Sequence, residues 1–234
     1  MKKIIHRANE RGITELGWLH SRHSFSFGRY YNPEMERFGL LRVLNDDIVE
    51  PGEGFGTHPH DNMEIISIVL KGQLEHRDSM GNGSVINAGE VQIMSAGTGI
   101  THSEFNPSDS EKVNFLQLWI FPKERGVSPG YDQRKFDIAE NEIKEVVSGE
   151  KSNDSLHINQ DASIYLGNLD KGKLYTFKVD KKEYGTYLFI LEGSIILDGD
   201  TLTKRDAAGI WDTDEFRIIS QAQSEFILVK VPMN

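Results

Sequence analysis

Short apolar segments of the kind found in buried β-strands recur along this chain, and turns rich in glycine and asparagine separate them. Three such segments are Phe38 to Leu44, Ile65 to Leu70 and Val113 to Phe121, and the stretch "DSMGNGS" at 78–84 is typical of a hairpin tip. Strong helical periodicity is missing from the region between Phe38 and Pro122. Evenly spaced strands with such turns are typical of sandwiches and barrels, so we predict an all-β chain.

The two halves of the chain are similar to each other. The segment "IVLKGQL" at 68–74 matches "FILEGSI" at 189–195, an offset of 121 residues. A repeat of this length is too long for a solenoid unit and fits a duplicated β domain. We therefore predict an N-terminal barrel over residues 1–125 and a C-terminal barrel over residues 137–234. The segment between them is polar and rich in glycine and proline, which predicts a linker at 126–136.

Composition limits the chemistry that the chain can perform. There is no cysteine, which excludes disulfides, zinc–thiolate sites, iron–sulfur clusters and a cysteine nucleophile. With 26 basic and 36 acidic residues the formal charge is −10, so direct binding to nucleic acid is not expected. No apolar run reaches the roughly 18 residues of a membrane span, and no signal peptide is recognisable. We expect a cytoplasmic monomer with no membrane partner.

Two pairs of potential metal ligands share the same spacing. His58 and His60 lie one residue apart beside a buried strand, and His102 and Glu104 repeat that spacing about 42 residues later. Side chains at i and i+2 of a strand project from the same face. Two antiparallel strands that face each other across a barrel would bring three imidazoles and one carboxylate together. That ligand set suits iron, manganese, nickel, copper or zinc.

Two other histidines are interpreted differently. His76 stands at the end of a strand beside Arg77 and Asp78, which indicates a position on the surface or next to the metal ligands. His23 lies among aromatic residues and is interpreted as a packing residue, with a role in the pocket as the alternative. Neither residue is predicted to be a metal ligand.

The segments around the paired ligands resemble the pirin family, within the cupin superfamily. The stretches "GTHPHDNMEII" and "IMSAGTGITHSEFNP" are similar to the two metal-binding motifs of that family, and "HSFSFGRYYNPE" and "FLQLWIFP" are also pirin-like. The resemblance covers essentially the whole chain and is most specific from about residue 18 to 122. It implies two cupin-type β-barrel (jelly-roll) domains in tandem, a bicupin, with a single metal in the N-terminal domain.

Carried over to this sequence, the family's metal ligands fall on His58, His60, His102 and Glu104, and all four are present. Cupins in general take their glutamate from the first motif, at the position that Glu64 occupies here. Glu64 also shares strand parity with the first two histidines. The pirin pattern uses the glutamate of the second motif, so we favour Glu104 as the ligand and expect Glu64 to be a carboxylate of the pocket.

The C-terminal copy is expected to hold no metal. In an alignment of the two copies, Val179 and Lys181 take the places of the first two histidines, and the place of His102 falls near Ala222 or Gln223. None of these side chains can replace an imidazole. The second barrel is therefore expected to serve in packing, in shaping access to the site or in binding a partner.

The resemblance and the ligand set together predict a metal-dependent dioxygenase that opens the ring of flavonols such as quercetin with O2. Four protein ligands on a metal that prefers six leave about two positions open, which favours catalysis over a structural role. A small aromatic, enolic substrate would bind through its enolate oxygen. Glu104, or Glu64 if it is not bound to the metal, would accept the hydroxyl proton as a general base.

The expected cofactor is one divalent transition metal, Fe2+ first, with manganese, nickel, copper, cobalt or zinc as alternatives. Because ligation needs neutral imidazole, we expect the metal to be released as the pH falls below about 6. The competing hypothesis comes from other members of the family that the chain resembles. It is a non-enzymatic, iron-binding redox sensor or transcriptional co-regulator that acts through a protein partner.

Overall fold

The computed structural model describes residues 1–179 and 182–234. Over these two ranges the ordered elements are β-strands and one 3-10 turn at Ala8–Glu10, so the all-β prediction is confirmed. Within the same ranges, no helix has the length and apolar character that crossing a membrane requires.

The first half of the chain supplies twelve strands. They are β1 (Lys2–His6), β2 (Gly12–Glu15), β3 (Leu19–His23), β4 (Leu41–Val49), β5 (Gly54–His60), β6 (Glu64–Lys71), β7 (Gln73–Asp78), β8 (Gly83–Asn87), β9 (Glu90–Ser95), β10 (Ile100–Phe105), β11 (Val113–Ile120) and β12 (Gly130–Lys135). The N-terminal barrel combines a seven-stranded sheet, in the order β12-β9-β6-β11-β4-β3-β2, with a four-stranded sheet, in the order β5-β10-β7-β8. All strand pairs within these two sheets are antiparallel.

The described part of the second half supplies ten strands. They are β13 (Glu142–Ser148), β14 (Leu156–His157), β15 (Ser163–Leu169), β16 (Leu174–Lys178), β17 (Tyr184–Glu192), β18 (Ser194–Leu197), β19 (Asp200–Thr203), β20 (Ala207–Trp211), β21 (Glu215–Ser220) and β22 (Ser224–Pro232). They form a seven-stranded sheet, β1-β20-β17-β22-β15-β13-β14, and a four-stranded sheet, β16-β21-β18-β19.

The two barrels repeat the same strand order, which supports the duplication read from the sequence. Strands β6, β9 and β11 of the first large sheet correspond to β17, β20 and β22 of the second. The turn after the central strand holds Gly72 in one copy and Gly193 in the other, with φ of 77° and 80°. Side chains other than glycine rarely adopt that conformation, so the aligned glycines mark the same turn.

Two strands pair with sheets in which the predicted domain boundaries do not include them. β1, assigned to the N-terminal barrel, pairs with β20 in the C-terminal sheet, and β12, inside the predicted linker at 126–136, pairs with β9 in the N-terminal sheet. The domain boundaries themselves stay a prediction. Each strand covers an otherwise open sheet edge through backbone hydrogen bonds, which need no strong apolar pattern and left no clear signal in the sequence.

The largest apolar core lies between the two seven-stranded sheets, which pack face to face. Strand β11 shows how side-chain alternation divides the roles of one strand. Leu116, Leu118 and Ile120 point into the core between the barrels, whereas Gln117 and Trp119 point into the N-terminal barrel. The domain interface and the candidate site are therefore built on opposite faces of one sheet.

The C-terminal barrel differs from its copy because its interior is filled with apolar side chains, among them Leu188, Ile190, Phe226 and Leu228. Strand β16 takes the place of β5, and β21 takes that of β10. The counterpart of His102 thus lies within Glu215–Ser220, which corrects the alignment to Ala222 or Gln223. Val179 is buried in the apolar interior, and Lys181 lies outside the described residues. That this barrel holds no metal stays a prediction.

Candidate metal centre

Three imidazoles converge on the inner face of the small N-terminal sheet. His58 lies directly opposite His102 in the antiparallel pair of β5 and β10, and His60 follows two residues along the same strand. One nitrogen from each ring lies within 4.8 Å of the other two. The i, i+2 spacing thus places the rings of His58 and His60 on the same face of β5, next to His102. The two strands, however, are hydrogen-bonded neighbours and do not face each other across the barrel.

Glu104 lies behind the imidazoles, two residues beyond His102 on the same face of β10. Its side chain is 1% exposed. Gln117 donates a hydrogen bond to Oε2 at 2.7 Å, and Ser67 donates one to Oε1 at 3.2 Å. A carboxylate oxygen of Glu104 lies within 4.8 Å of the donor nitrogens of His102 and His76. The group of three imidazoles and the group of Glu104 with His102 and His76 therefore share His102, so four histidines and one glutamate lie next to one another.

Two of the imidazoles, those of His60 and His102, are held in the neutral form that metal binding needs. Burial, with the neighbouring imidazoles of His102 and His58 as the next causes, lowers the pKa of His60 to about 4. Burial, followed by His58 and His76, lowers the pKa of His102 to about 3. His58 donates a hydrogen bond from Nδ1 to the carbonyl oxygen of Gly56 at 2.8 Å, which directs the Nε2 lone pair elsewhere.

The unpaired nitrogens of the cluster fit a metal. Nε2 of His60 and Nε2 of His102 are both buried, and neither has a hydrogen-bond partner among the residues that the structure describes. Buried polar atoms are nearly always paired, so two such atoms in one cluster call for a ligand. Neutral imidazole and carboxylate are donors suited to divalent iron, nickel or manganese. The residues present therefore fit one transition-metal ion.

An open cleft of about 970 Å³ leads from the surface to the imidazoles. Its walls carry the polar rings of His58 and His60 and, around these rings, apolar side chains. The residues that line it are His58, Pro59, His60, Asp61, Met63, Ser79, Gly99, Ile100, Thr101 and Trp119. The indole of Trp119 packs edge-to-face against His60, with ring centroids 4.9 Å apart, and its Nε1 donates a hydrogen bond to Gln117 at 3.2 Å.

Two family models match this sequence, one described as "Pirin" over residues 6–120 and one as "Quercetinase C-terminal cupin domain" over residues 145–231. A protein of Escherichia coli (strain K12) named quercetin 2,3-dioxygenase is 42% identical over 97% of this chain and 98% of its own length. The chain belongs to the pirin family.

Solved structures agree with the fold of this pirin. The bacterial pirin YhhW from Escherichia coli, in complex with nickel(II), is 41% identical and superimposes with a TM-score of 0.95 over 99% of both chains. A quercetin 2,3-dioxygenase from Acinetobacter baumannii shares the fold with a TM-score of 0.80 at 22% identity, over 98% of this chain and 86% of that one. The expected tandem of two cupin-type barrels is confirmed.

Three polar residues beneath the cluster of this pirin were not singled out in the sequence. Gln117, Ser67 and Gln92 lie opposite one another on the neighbouring strands β11, β6 and β9. All three are inside the barrel, and the first two hold Glu104. A signal was present, since each is a polar residue inside an otherwise apolar strand segment. A polar side chain in a buried strand is expected to have a hydrogen-bonding partner, as Gln117 and Ser67 do, whereas the two polar side-chain atoms of Gln92 have none among the described residues.

Glu64 lies away from the imidazole cluster, at the contact between the two halves of the pirin. It is fully buried and accepts hydrogen bonds from Ser95 at 2.8 Å and from the backbone N–H of Asn159 at 3.2 Å. Burial raises the pKa of Glu64, although these hydrogen bonds act against the shift. Strand parity does not place Glu64 on the same face as His58 and His60, because β5 ends at His60. Asn62, with φ of 46°, then interrupts the extended backbone. A catalytic role for Glu64 stays a prediction.

His76 is fully buried next to the cluster, so of its two interpretations the surface position is wrong. Its Nδ1 lies 3.4 Å from Nδ1 of His102, and its Nε2 lies 3.2 Å from a carboxylate oxygen of Asp78. Tyr131 of β12 stacks on its ring. His23, by contrast, bonds to Asn45 and Thr14 and packs on Phe27, as a packing residue would.

Proposed function

We propose that this pirin is a metal-dependent dioxygenase that opens the ring of flavonols such as quercetin with O2. The observation that carries the proposal is the convergence of three imidazoles, two of which, His58 and His60, line an open cleft, with the carboxylate of Glu104 next to the third, His102. The name of the Escherichia coli relative, quercetin 2,3-dioxygenase, supports the same substrate class at 42% identity over nearly the full chain.

We assign His58, His60, His102 and Glu104 as the ligands of one divalent metal. Fe2+ is the cofactor that we propose, and the nickel(II) complex of the Escherichia coli pirin indicates that a related site accepts other divalent ions. When bound, the metal would act as a Lewis acid that anchors the enolate oxygen of the substrate.

Glu104 is the residue that we assign as proton acceptor for the substrate hydroxyl. Ser67 and Gln117 each donate to a different oxygen of its carboxylate, which fixes its orientation. A carboxylate oxygen offers more than one lone pair, so these bonds leave capacity for a ligand contact and a proton. Gln117 also accepts a hydrogen bond from Trp119, which ties the orientation of Glu104 to the wall of the cleft.

The apolar part of the cleft fits an aromatic substrate. Met63, Ile100 and Trp119 lie on the wall around the imidazoles. Flat aromatic rings pack well against indole and thioether side chains, in edge-to-face or offset contacts. Such contacts would hold a flavonol with its hydroxyl toward the metal ligands and keep bulk water away from the reacting carbon.

The test is a turnover assay on protein purified without a histidine tag and loaded with Fe2+. Quercetin is added in air, and the loss of its visible absorbance and the release of carbon monoxide are followed. His58→Ala should abolish turnover, whereas His20→Ala, which removes an imidazole at the surface, should leave it unchanged. Turnover no faster in the wild type than in the His58→Ala variant would contradict the proposal.

A further inference from the structure

We propose that Asp78 and His76 form a buried relay of hydrogen bonds that fixes the tautomer of His102, so that its Nε2 lone pair faces the metal. His76 is thus a positioning residue that acts through His102. The inference rests on the proposed metal site and is independent of the proposed substrate.

The relay runs inward along two neighbouring strands. β7 and β10 pair with His102 opposite Asp78 and Glu104 opposite His76, so the three side chains of the relay lie side by side. The exposed fraction of the His76 ring and of the Asp78 carboxylate is 0%. The atoms in contact are Oδ2 of Asp78 with Nε2 of His76 at 3.2 Å, and Nδ1 of His76 with Nδ1 of His102 at 3.4 Å.

The donors around Asp78 set the direction of every bond in this relay. Its carboxylate accepts from the backbone N–H of Met80 at 2.9 Å and of Asn82 at 3.0 Å, and from the Asn82 side-chain amide at 2.9 Å. A carboxylate surrounded by donors is ionised and only accepts, so Nε2 of His76 must carry a hydrogen. In the tautomer that we assign to His76, with its hydrogen on Nε2, Nδ1 carries a lone pair and accepts the Nδ1–H of His102. The remaining nitrogen of His102, Nε2, is left with its lone pair.

The surroundings of His76 hold this arrangement in place. The ring of Tyr131 stacks on the imidazole with centroids 4.6 Å apart and an interplanar angle of 26°. Tyr131 is itself fixed, since its hydroxyl donates to Gln133 at 2.7 Å and contacts Ser84. The stacking ring comes from β12, the edge strand that pairs with β9 in the N-terminal sheet, so this strand also fixes the position of the His76 ring.

A direct role as metal ligand is the alternative for His76, because His76, His102 and Glu104 also form a group of three donors within 4.8 Å. We favour the relay because both nitrogens of His76 already have protein partners. Nε2 of His102, by contrast, has none among the described residues. Histidine ligands commonly give their second nitrogen to such a partner, and removing that partner typically weakens metal binding about 10- to 100-fold.

The first test reads the tautomer of His102 in the metal-free wild-type protein. Two-bond ¹H–¹⁵N NMR spectra of histidine-labelled protein separate protonated from unprotonated ring nitrogens, and the His102→Gln variant assigns the signals. We expect Nδ1 of His102 to be protonated and Nε2 to be unprotonated. The opposite tautomer would overturn the relay, whether or not the protein turns over quercetin.

The second test measures the affinity for Ni2+ by competition with a chromophoric chelator. His76→Phe keeps the aromatic volume but removes both nitrogens, and we expect about 10- to 100-fold weaker binding. His76→Gln keeps one acceptor and one donor, so its affinity should stay close to the wild type. His6→Phe, a buried histidine bonded to Tyr187 in the other barrel, is the matched control and should bind normally.

The outcomes separate this inference from the metal site on which it rests. A wild-type protein that takes up no Ni2+ would overturn the site and the relay together. Normal binding by His76→Phe would overturn the relay and leave the site standing. Equal losses in the Phe and Gln variants would point to a direct ligand and also overturn it.

Discussion

The pKa values of the two buried imidazoles set the pH range over which the site can hold a metal. Burial lowers the pKa of His60 to about 4 and that of His102 to about 3, so both rings stay neutral well below pH 6. Protons therefore begin to compete for these nitrogens only in more acidic solution. From these two rings we expect release at a lower pH than the value of about 6 that the sequence alone predicts.

We expect metal content to be unchanged between pH 7 and pH 5 and to fall as the pH approaches 4. The measurement is elemental analysis of Ni2+-loaded protein after dialysis at a series of pH values, with circular dichroism to verify that the fold persists. Complete release by pH 6 would contradict this expectation.

For the buried carboxyl of Asp47, burial raises the pKa instead of lowering it. Burial raises the pKa of Asp47 to about 7, although a hydrogen bond from Ser21 acts against the shift. The folded protein keeps this proton between about pH 4 and pH 7, while the unfolded chain has lost it. The group therefore reduces the free energy of unfolding as the pH rises through that window, by about 4 kcal/mol at most.

Asp47→Asn removes the titration while keeping an acceptor for Ser21. We expect its stability relative to the wild type to rise between pH 4 and pH 8, as measured by urea unfolding of the metal-free proteins. The Asp109→Asn variant, at an exposed carboxylate, should show no such trend. A constant difference between wild type and Asp47→Asn across this range would contradict a raised pKa.

At the scale of strands, the sequence predicts which side chains share a face but not which strands are neighbours. The i, i+2 pairs of His58 with His60 and of His102 with Glu104 follow from the geometry of any strand. The contact between His102 and His76 depends on the pairing of β10 with β7, which no local pattern encodes. The same limit explains why the sequence predicts a linker where β12 forms, since the pairing of β12 with β9 rests on backbone groups.

Strand β1 offers a test at this scale. It pairs with β20 along Lys2–His6, and its His6 side chain bonds to Tyr187 at 2.8 Å inside the molecule. Deleting residues 2–6 should expose the edge of the C-terminal sheet and cost about 5 kcal/mol, given roughly 1 kcal/mol for each lost hydrogen bond and about one backbone bond for each of the five register pairs. Hydrogen exchange should then accelerate in β20 and stay slow in β9.

A Lys2→Ala variant is the matched control, because it removes a side chain at the surface while keeping the strand. Its exchange pattern should be that of the wild type. If β20 stays fully protected after the deletion, the strand contributes no edge protection and the predicted assignment of residues 2–6 to the N-terminal barrel regains support.

At the scale of the whole molecule, the two barrels share a strand order but differ in the chemistry of their interiors. One interior carries histidines, carboxylates and amides, and the other is packed with apolar side chains. The duplication was readable from the sequence because glycine turns and apolar strands repeat. The face-to-face packing of the large sheets was not, because an apolar residue on a strand gives no sign of whether it faces its own barrel or the next.

The two buried glutamates have different predicted roles. Glu104 lies with the imidazoles, whereas Glu64 bonds to Asn159 across the contact between the halves. Glu104→Gln should lower metal affinity and turnover at least about tenfold, because an amide is a poorer ligand and cannot accept the substrate proton. Glu64→Gln should keep both properties, and Glu64→Ala should lower the stability by about 1–3 kcal/mol, because Ser95 and Asn159 lose their buried acceptor.

The measurements are chelator competition, quercetin turnover and urea unfolding on the same three proteins. The reverse ranking, with Glu64→Gln losing metal and Glu104→Gln retaining it, would exchange the roles of the two carboxylates and return the site to the general cupin pattern.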